Sequence, residues 1–220
     1  MKIIDISHGI YKIDGKLATE NSVKGAKVYG EDLVMVDGKE YRLWNPYRSK
    51  LAAAIINGMK NISLLETDNV LYLGAATGTT ASHVSDITKG GKVFCVELSE
   101  RNMRDLLNVC GKRTNMLPIL SDARLTERYS KYLPVCDVIY QDISSKDQAE
   151  ILNKNSKFLK AGGIAYFIIK SQSIDISRNP ENIYAEELAK LSKDFEILER
   201  IDLEPFDSLH LFTVLRKKDL

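Results

Sequence analysis

The sequence predicts an α/β fold. A mostly parallel sheet, covered by helices on both faces and closed by a C-terminal antiparallel hairpin, follows a small N-terminal β-domain. Three observations carry this. Two Asp-Gly pairs, Asp14-Gly15 and Asp37-Gly38, lie between β-forming runs in the first fifty residues. From Val70 onward, strand-like runs alternate with helical ones. The last two β-like runs, over 195–203 and 210–215, have no helix between them.

Asp-Gly between β-forming runs is a strong hairpin signal, because both residues accept the positive φ of a tight turn. Ile10-Tyr11-Lys12-Ile13 precedes the first pair, Leu33-Val34-Met35-Val36 the second, and Tyr41-Arg42-Leu43-Trp44 follows the second. Residues 1–48 are therefore expected to form a β-hairpin domain, and 49–220 the larger domain. An Ala/Leu/Ile-rich helix is expected over 49–59, with Pro46 shortly before it. Strands are expected over 70–73, 92–96, 116–120, 136–140 and 164–169, and helices over 79–87, 100–110, 146–158 and 182–191. Such alternation needs crossover helices on a parallel sheet, whereas the final pair, joined by a short loop, must run antiparallel. Class I methyltransferases close their Rossmann-like seven-stranded sheet this way. A dinucleotide oxidoreductase would normally continue with another crossover helix.

Composition excludes several classes. With 44% hydrophobic and 28% charged residues among 220, the chain is neither disordered nor collagen-like. No apolar run approaches the roughly 18 residues of a membrane helix, and Asp5 sits where a signal peptide would be apolar. A cytoplasmic protein without membrane attachment is expected. Cys95, Cys110 and Cys136 show no metal-ligand spacing and read as buried reduced thiols, so no metal is expected. Residues 1–60 hold ten Lys or Arg against seven acids, and 151–220 hold eleven of each. That is no broad basic face, so any RNA affinity must come largely from elsewhere.

Leu73-Gly74-Ala75-Ala76-Thr77-Gly78-Thr79-Thr80 follows a strand and opens a helix. Small residues there let a ligand approach the backbone, and free N–H groups at the helix start can meet it. Ala76 breaks the dinucleotide G-x-G-x-x-G pattern, and no Lys follows Gly78 as in a P-loop. The expected cofactor contacts are Gly74, Ala75, Thr79 and Thr80. Glu97, 23 residues after Gly74 and beside Leu98, is placed to accept from ribose hydroxyls of an adenosine cofactor. After the next strand, Asp122 is placed for an adenine amino group and Ala123 for a backbone contact.

Asp142 and Lys170 end successive parallel strands, and ligands bind where such strand ends meet. Lys50 starts the helix before the sheet, and His210 begins the last strand. This set suits methylation of a hydroxyl, which must lose its proton as the methyl arrives. A free lysine titrates at about 10.4, but a neighbouring ammonium and partial burial favour the neutral amine. Lys170 is the expected general base. Asp142 would hold it and border the cofactor, and Lys50 would steady the oxyanion.

With these residues in view, the chain resembles the archaeal form of the fibrillarin family. Tyr41-Arg42-Leu43-Trp44-Asn45-Pro46-Tyr47-Arg48-Ser49-Lys50-Leu51-Ala52-Ala53-Ala54 carries the resemblance. So do residues 70–86, which contain Gly74-Ala75-Ala76-Thr77-Gly78-Thr79-Thr80, and Ile169-Lys170-Ser171-Gln172-Ser173-Ile174-Asp175. It covers the chain from about Lys24 onward. It implies S-adenosyl-L-methionine as cofactor and a ribose 2′-hydroxyl of rRNA or tRNA as substrate, chosen by a box C/D guide RNA. It implies the catalytic set Lys50, Asp142 and Lys170, with His210 matching the family's histidine. It further implies assembly with a Nop-domain scaffold protein and a kink-turn-binding ribosomal-type protein. The small β-domain offers a surface for a partner or for self-association. Three departures stand out: Leu209 replaces the family's Asp before the histidine, Asp142-Ile143-Ser144-Ser145 replaces Asp-Val-Ala-Gln, and Thr77 replaces Ser. Two other classes remain open at this point, methylation of another substrate such as a protein glutamine, and a non-enzymatic scaffold.

Overall fold

The computed structural model describes residues 2–219. Its N-terminal part is a five-stranded antiparallel sheet of β1 (Ile3–Ser7), β2 (Ile10–Ile13), β3 (Lys16–Glu20), β4 (Leu33–Val36) and β5 (Lys39–Leu43), in the order β1-β2-β3-β5-β4. Both Asp-Gly pairs make the expected turns, with φ of 46° and 84° at Asp14 and Gly15, and 49° and 81° at Asp37 and Gly38. Strand β1 is an addition to the expected hairpins. Its turn uses His8-Gly9, also at positive φ, rather than Asp-Gly.

The larger sheet has seven strands: β6 (Asn69–Leu73), β7 (Lys92–Glu97), β8 (Met116–Leu120), β9 (Cys136–Gln141), β10 (Leu159–Lys170), β11 (Phe195–Asp202) and β12 (His210–Lys217). Their order is β11-β12-β10-β9-β6-β7-β8. The strands β6 to β10 pair in parallel, and β12 runs antiparallel to both β10 and β11. The chain builds from β6 first toward β7 and β8, then turns back to β9 on its other side. The ends of β6 and β9 are thus the point at which strand order reverses, where a crevice opens in such sheets.

Six helices cover it: α1 (Lys50–Ile56), α2 (Thr79–Ile87), α3 (Glu100–Cys110), α4 (Gln148–Asn155), α5 (Ser171–Ile174) and α6 (Pro180–Leu191). Their starts follow from local chemistry. Ser49 accepts from the Ala52 N–H, Ser99 from Asn102, and Asn179 from Glu181 with Pro180 next, so side chains satisfy otherwise unpaired donors. The expected helix over 146–158 is shorter, with α4 followed by a 3₁₀ turn at Ser156–Phe158. Strand β10 is longer than expected, because Gly162-Gly163 lies in an irregularity within the strand instead of ending it. Helix α5 is a single turn that follows Lys170 directly.

Alternation along the strands splits the core. Val70, Tyr72, Val138, Tyr140, Tyr166 and Ile168 pack with Leu51, Ala81, Val84 and Leu106 of α1, α2 and α3. Leu71, Leu73, Ile139, Phe167 and Ile169 pack with Ile151, Leu152, Leu188 and Leu191 of α4 and α6. Ile10, Leu17 and Trp44 of the N-terminal part belong to the first of these clusters. Cys95 and Cys136 are buried free thiols, whereas Cys110, at the end of a helix, is only half-buried. Among the described residues no helix is long and apolar enough to cross a membrane, and no cluster of His, Cys, Asp and Glu could hold a metal.

Candidate active site

Register brings the site together. Leu73 pairs with Gln141, and the Asp142 N–H donates to the Leu73 carbonyl at 3.0 Å, so Gly74 and Asp142 abut where β6 and β9 end. A Cβ on Gly74 would lie 2.7 Å from the Asp142 carbonyl oxygen, and its φ is +82°. Only glycine fits both constraints. Gly74→Ala is therefore expected to push Asp142 out of place, adding about 1–3 kcal/mol of backbone strain. Calorimetric titration with S-adenosyl-L-methionine, the cofactor that the family resemblance implies, should show affinity at least roughly tenfold weaker, the equivalent of about 1.4 kcal/mol, in a protein whose circular dichroism remains native. Wild-type affinity would disprove this role for Gly74.

A cleft of about 520 Å³ opens there, a size suited to a nucleoside-bearing ligand. Gly74, Glu97, Leu98, Asp122, Ala123, Asp142 and Lys170 line it, as do Ala76, Ser144 and Ser145. Glu97 Oε2 accepts from the Ala76 N–H and Oε1 from the Ser99 N–H, both at 2.8 Å. These bonds fix the carboxylate on the wall and brace the loop. The Asp122 carboxylate is gripped by Arg124 at 3.0 and 2.7 Å, and this guanidinium, with burial opposing it, holds Asp122 below the usual carboxylate range. Leu98 is exposed and offers an apolar surface. Ala75, Thr79 and Thr80 do not line the cleft. Ala75 and Thr80 are buried behind the loop, where Thr80 donates to Ser49 at 3.0 Å. The exposed loop residue is Ala76 instead, at φ 47°.

Lys50, Asp142 and Lys170 meet as the sequence led us to expect. Asp142 Oδ2 lies 3.2 Å from Lys50 Nζ, and Oδ1 lies 2.7 Å from Lys170 Nζ. Lys170 also donates to the Asp142 carbonyl at 3.1 Å and to Ser144 Oγ at 3.2 Å. Antiparallel pairing sets His210 beside Lys170. The residue that sequence reasoning missed is Asp207. Its Oδ2 lies 3.4 Å from Lys50 Nζ and its Oδ1 lies 2.7 Å from His210 Nδ1. Its only signal in the sequence was an acid three residues before the histidine. The contacts of Lys170 with Asp142 Oδ1, and of His210 with Asp207, are charge contacts without aligned hydrogen bonds.

The electrostatics are those of a two-anion, two-cation cluster. Burial works to raise Asp142, but Lys50 and Lys170 outweigh it and hold the carboxyl below its ordinary range. Burial likewise opposes the shift at Asp207, which His210 and Lys50 lower. Lys50 shows the reverse: burial disfavours its ammonium, yet Asp142 and Asp207 raise it above the usual lysine range. Lys50 is thus a fixed positive charge, not a base.

The family model described as fibrillarin matches residues 3–219. A fibrillarin-like rRNA/tRNA 2′-O-methyltransferase of Thermococcus onnurineus is 49% identical over 204 residues, 92% of this chain and 90% of that one. Aeropyrum pernix fibrillarin, solved with natively bound S-adenosyl-L-methionine, superposes with a TM-score of 0.88 at 40% identity, covering 98% and 99% of the two chains. A chain of a fibrillarin/Nop5p complex superposes with a TM-score of 0.90 at 37% identity, covering 97% and 100%.

Proposed function

The chain belongs to the fibrillarin family, and from that premise we propose that it methylates ribose 2′-hydroxyls of rRNA and tRNA at positions chosen by a box C/D guide RNA. It is a methyltransferase that uses S-adenosyl-L-methionine. The observation that carries the finer reading is the pair of lysines on the Asp142 carboxylate, at the mouth of a cleft built around Gly74.

The cleft's donors and acceptors fit the cofactor. Glu97 keeps acceptor capacity for the two ribose hydroxyls: Oε2 accepts only the Ala76 N–H, and Oε1 accepts the Ser99 N–H and a long 3.5 Å bond from Asn102 Nδ2 that a ribose hydroxyl would displace. Leu98 would cover the adenine face. Asp122 and the Ala123 backbone would meet its edge, and Gly74 would leave room for the methionine moiety. When bound, S-adenosyl-L-methionine supplies an electrophilic methyl on a sulfonium. Asp142, kept ionised by the Lys50 ammonium and, until it gives up its proton, by Lys170, is the anion that complements such a cation.

The proton of the 2′-hydroxyl passes to Lys170 Nζ, acting as the neutral amine. The Asp142 carbonyl and Ser144 Oγ fix the direction of that nitrogen, with the Asp142 carboxylate beside it. Lys50 retains its charge and steadies the developing alkoxide. Ser144 and Ser145 offer hydroxyls on the cleft wall where a related sequence would offer Ala and Gln. Target choice belongs to partners: a Nop-domain scaffold, a kink-turn-binding protein and the guide RNA. The chain's near-even charge supports that division, with 31 basic against 30 acidic residues.

The test is transfer of labelled methyl to a target RNA, with and without guide RNA and the two partner proteins. A 2′-deoxy nucleotide at the guided position is the control. Signal is expected only in the full assembly, and none in the deoxy control. Signal from the isolated chain would remove the guide from the reading. No signal from a verified assembly would return the substrate question to another acceptor.

A further inference from the structure

We propose that Asp207 is a positioning residue of the catalytic cluster, a carboxylate that ties Lys50 to His210 from the loop between β11 and β12. The proposal rests on the reading of the site as a 2′-O-methyltransferase centre.

The geometry is specific. One oxygen of Asp207 lies 2.7 Å from His210 Nδ1 and the other 3.4 Å from Lys50 Nζ, so a single carboxylate spans two groups that are 160 residues apart in the chain. The loop that carries it is clasped at several points. The N–H groups of Phe206 and Asp207 donate to the Leu203 carbonyl at 2.9 and 3.1 Å. Asn57 Nδ2 donates to the carbonyls of Asp202 and Glu204 at 2.7 and 2.8 Å. Ser171 Oγ donates to the Leu209 carbonyl at 2.9 Å, which fixes the loop to the residue after Lys170. Phe206 packs edge-on against Tyr47, with ring centroids 5.1 Å apart.

The position where the family resemblance leads one to look for an acid is occupied by Leu209, at φ 61°. Here the carboxylate beside the histidine comes from two residues earlier. Its chemical consequences are two. A carboxylate 2.7 Å from Nδ1 favours a proton on that nitrogen through its charge, although the two are not aligned as a hydrogen bond here, and so leaves Nε2 as the acceptor. In addition, Lys50 divides its charge between two carboxylates, so Asp142 remains available to Lys170. Without Asp207, both lysines would depend on Asp142 alone.

Two readouts separate positioning from a purely structural role. The first is nitrogen NMR of the imidazoles in the full-length chain, which has only three histidines, with His210→Gln identifying the relevant signal. Wild type should show His210 protonated on Nδ1, and Asp207→Asn should shift the balance toward Nε2–H. The second is the pH–rate profile of methyl transfer in the assembled particle. Asp207→Asn should lower kcat roughly 10- to 100-fold, as misplaced catalytic groups do, with KM for RNA and cofactor affinity unchanged.

Its rising limb should also move to lower pH, because a negative charge has left the neighbourhood of the cations. The titratable groups in contact with Asp207 are Lys50 on α1 and His210 on β12, with Asp142 and Lys170 beyond Lys50. Asp207→Glu should recover part of kcat. An unchanged kcat and profile in Asp207→Asn would overturn the proposal. If the wild-type assembly proves inactive on RNA, the functional reading fails by itself. The imidazole signal still decides whether Asp207 orients His210.

Discussion

Replacing Lys170 with alanine is expected to lower the rate of methyl transfer by roughly 10²- to 10⁴-fold, the range for loss of a positioned general base. Cofactor affinity should stay close to wild type. The fold tolerates the change, since Asp142 keeps Lys50 as its partner at 3.2 Å and is not left as an unpaired charge. Lys170→Arg separates base from counter-charge. Arginine preserves the positive charge beside Asp142 but cannot be deprotonated at working pH. If Lys170 takes the proton, the arginine variant should be as inactive as the alanine variant. Lys50 behaves differently. Its two carboxylate neighbours hold it as an ammonium, so Lys50→Arg should keep much of the rate. Recovery of activity by Lys170→Arg, measured under single-turnover conditions, would reassign Lys170 to charge stabilisation.

The contrast between the two lysines also shows what could be read from sequence and what could not. The positions of Lys170 and Asp142 were legible because strand ends carry ligand-facing residues, and both strands are apolar runs with clear C-terminal limits. The hairpins were legible because Asp-Gly accepts the left-handed conformation at both turn positions. Asp207 was not legible. Nothing in local pattern distinguishes a loop aspartate that bridges Lys50 and His210 from one that faces water. Its role arises only when β12 returns antiparallel to β10 and sets His210 opposite Lys170. The exposure of Ala76 is not legible for a related reason. A string of small residues announces a tight loop but not which of them faces the cleft. The loop's left-handed turns at Gly74 and Ala76 decide that.

The polar cluster between the N-terminal sheet and α2 is a second feature that sequence spacing hides. It carries the largest expected effect on stability. Asp86 on α2 is buried, and its carboxylate lies 2.7 Å from Arg42 Nη1 and 2.5 Å from Arg113 Nη1. Thr19 Oγ1, the Ser22 N–H and Ser22 Oγ also donate to it, at 3.0, 3.1 and 2.7 Å. Arg42 is buried too and is held from its other side by Glu31 at 2.6 Å.

Replacing Asp86 with asparagine keeps the shape but leaves two buried guanidinium groups with one carboxylate, Glu31, which bonds Arg42 alone, so that Arg113 is left with uncharged partners such as the Ser22 and Ser85 hydroxyls. Breaking a buried pair in this way destabilises by about 3–5 kcal/mol, a fall in melting temperature on the order of 10 °C for a chain of this size. The sign with pH follows from the same contacts. Burial would raise Asp86, but Arg42 and Arg113 overcome it and hold its carboxyl below the ordinary range. A carboxylate depressed in the folded state contributes stability that is fully present above its unfolded value and lost as pH falls through its folded one. Wild type should therefore lose this contribution only below roughly pH 4, while Asp86→Asn lacks it at neutral pH and is less acid-sensitive. Equal melting temperatures at pH 7 would mean that the two arginines reach other partners on their own. The link between the β-sheet and α2 would then rest on the packing of Ile10, Leu17 and Trp44 and on the bonds of His83 to Thr19 and Tyr29.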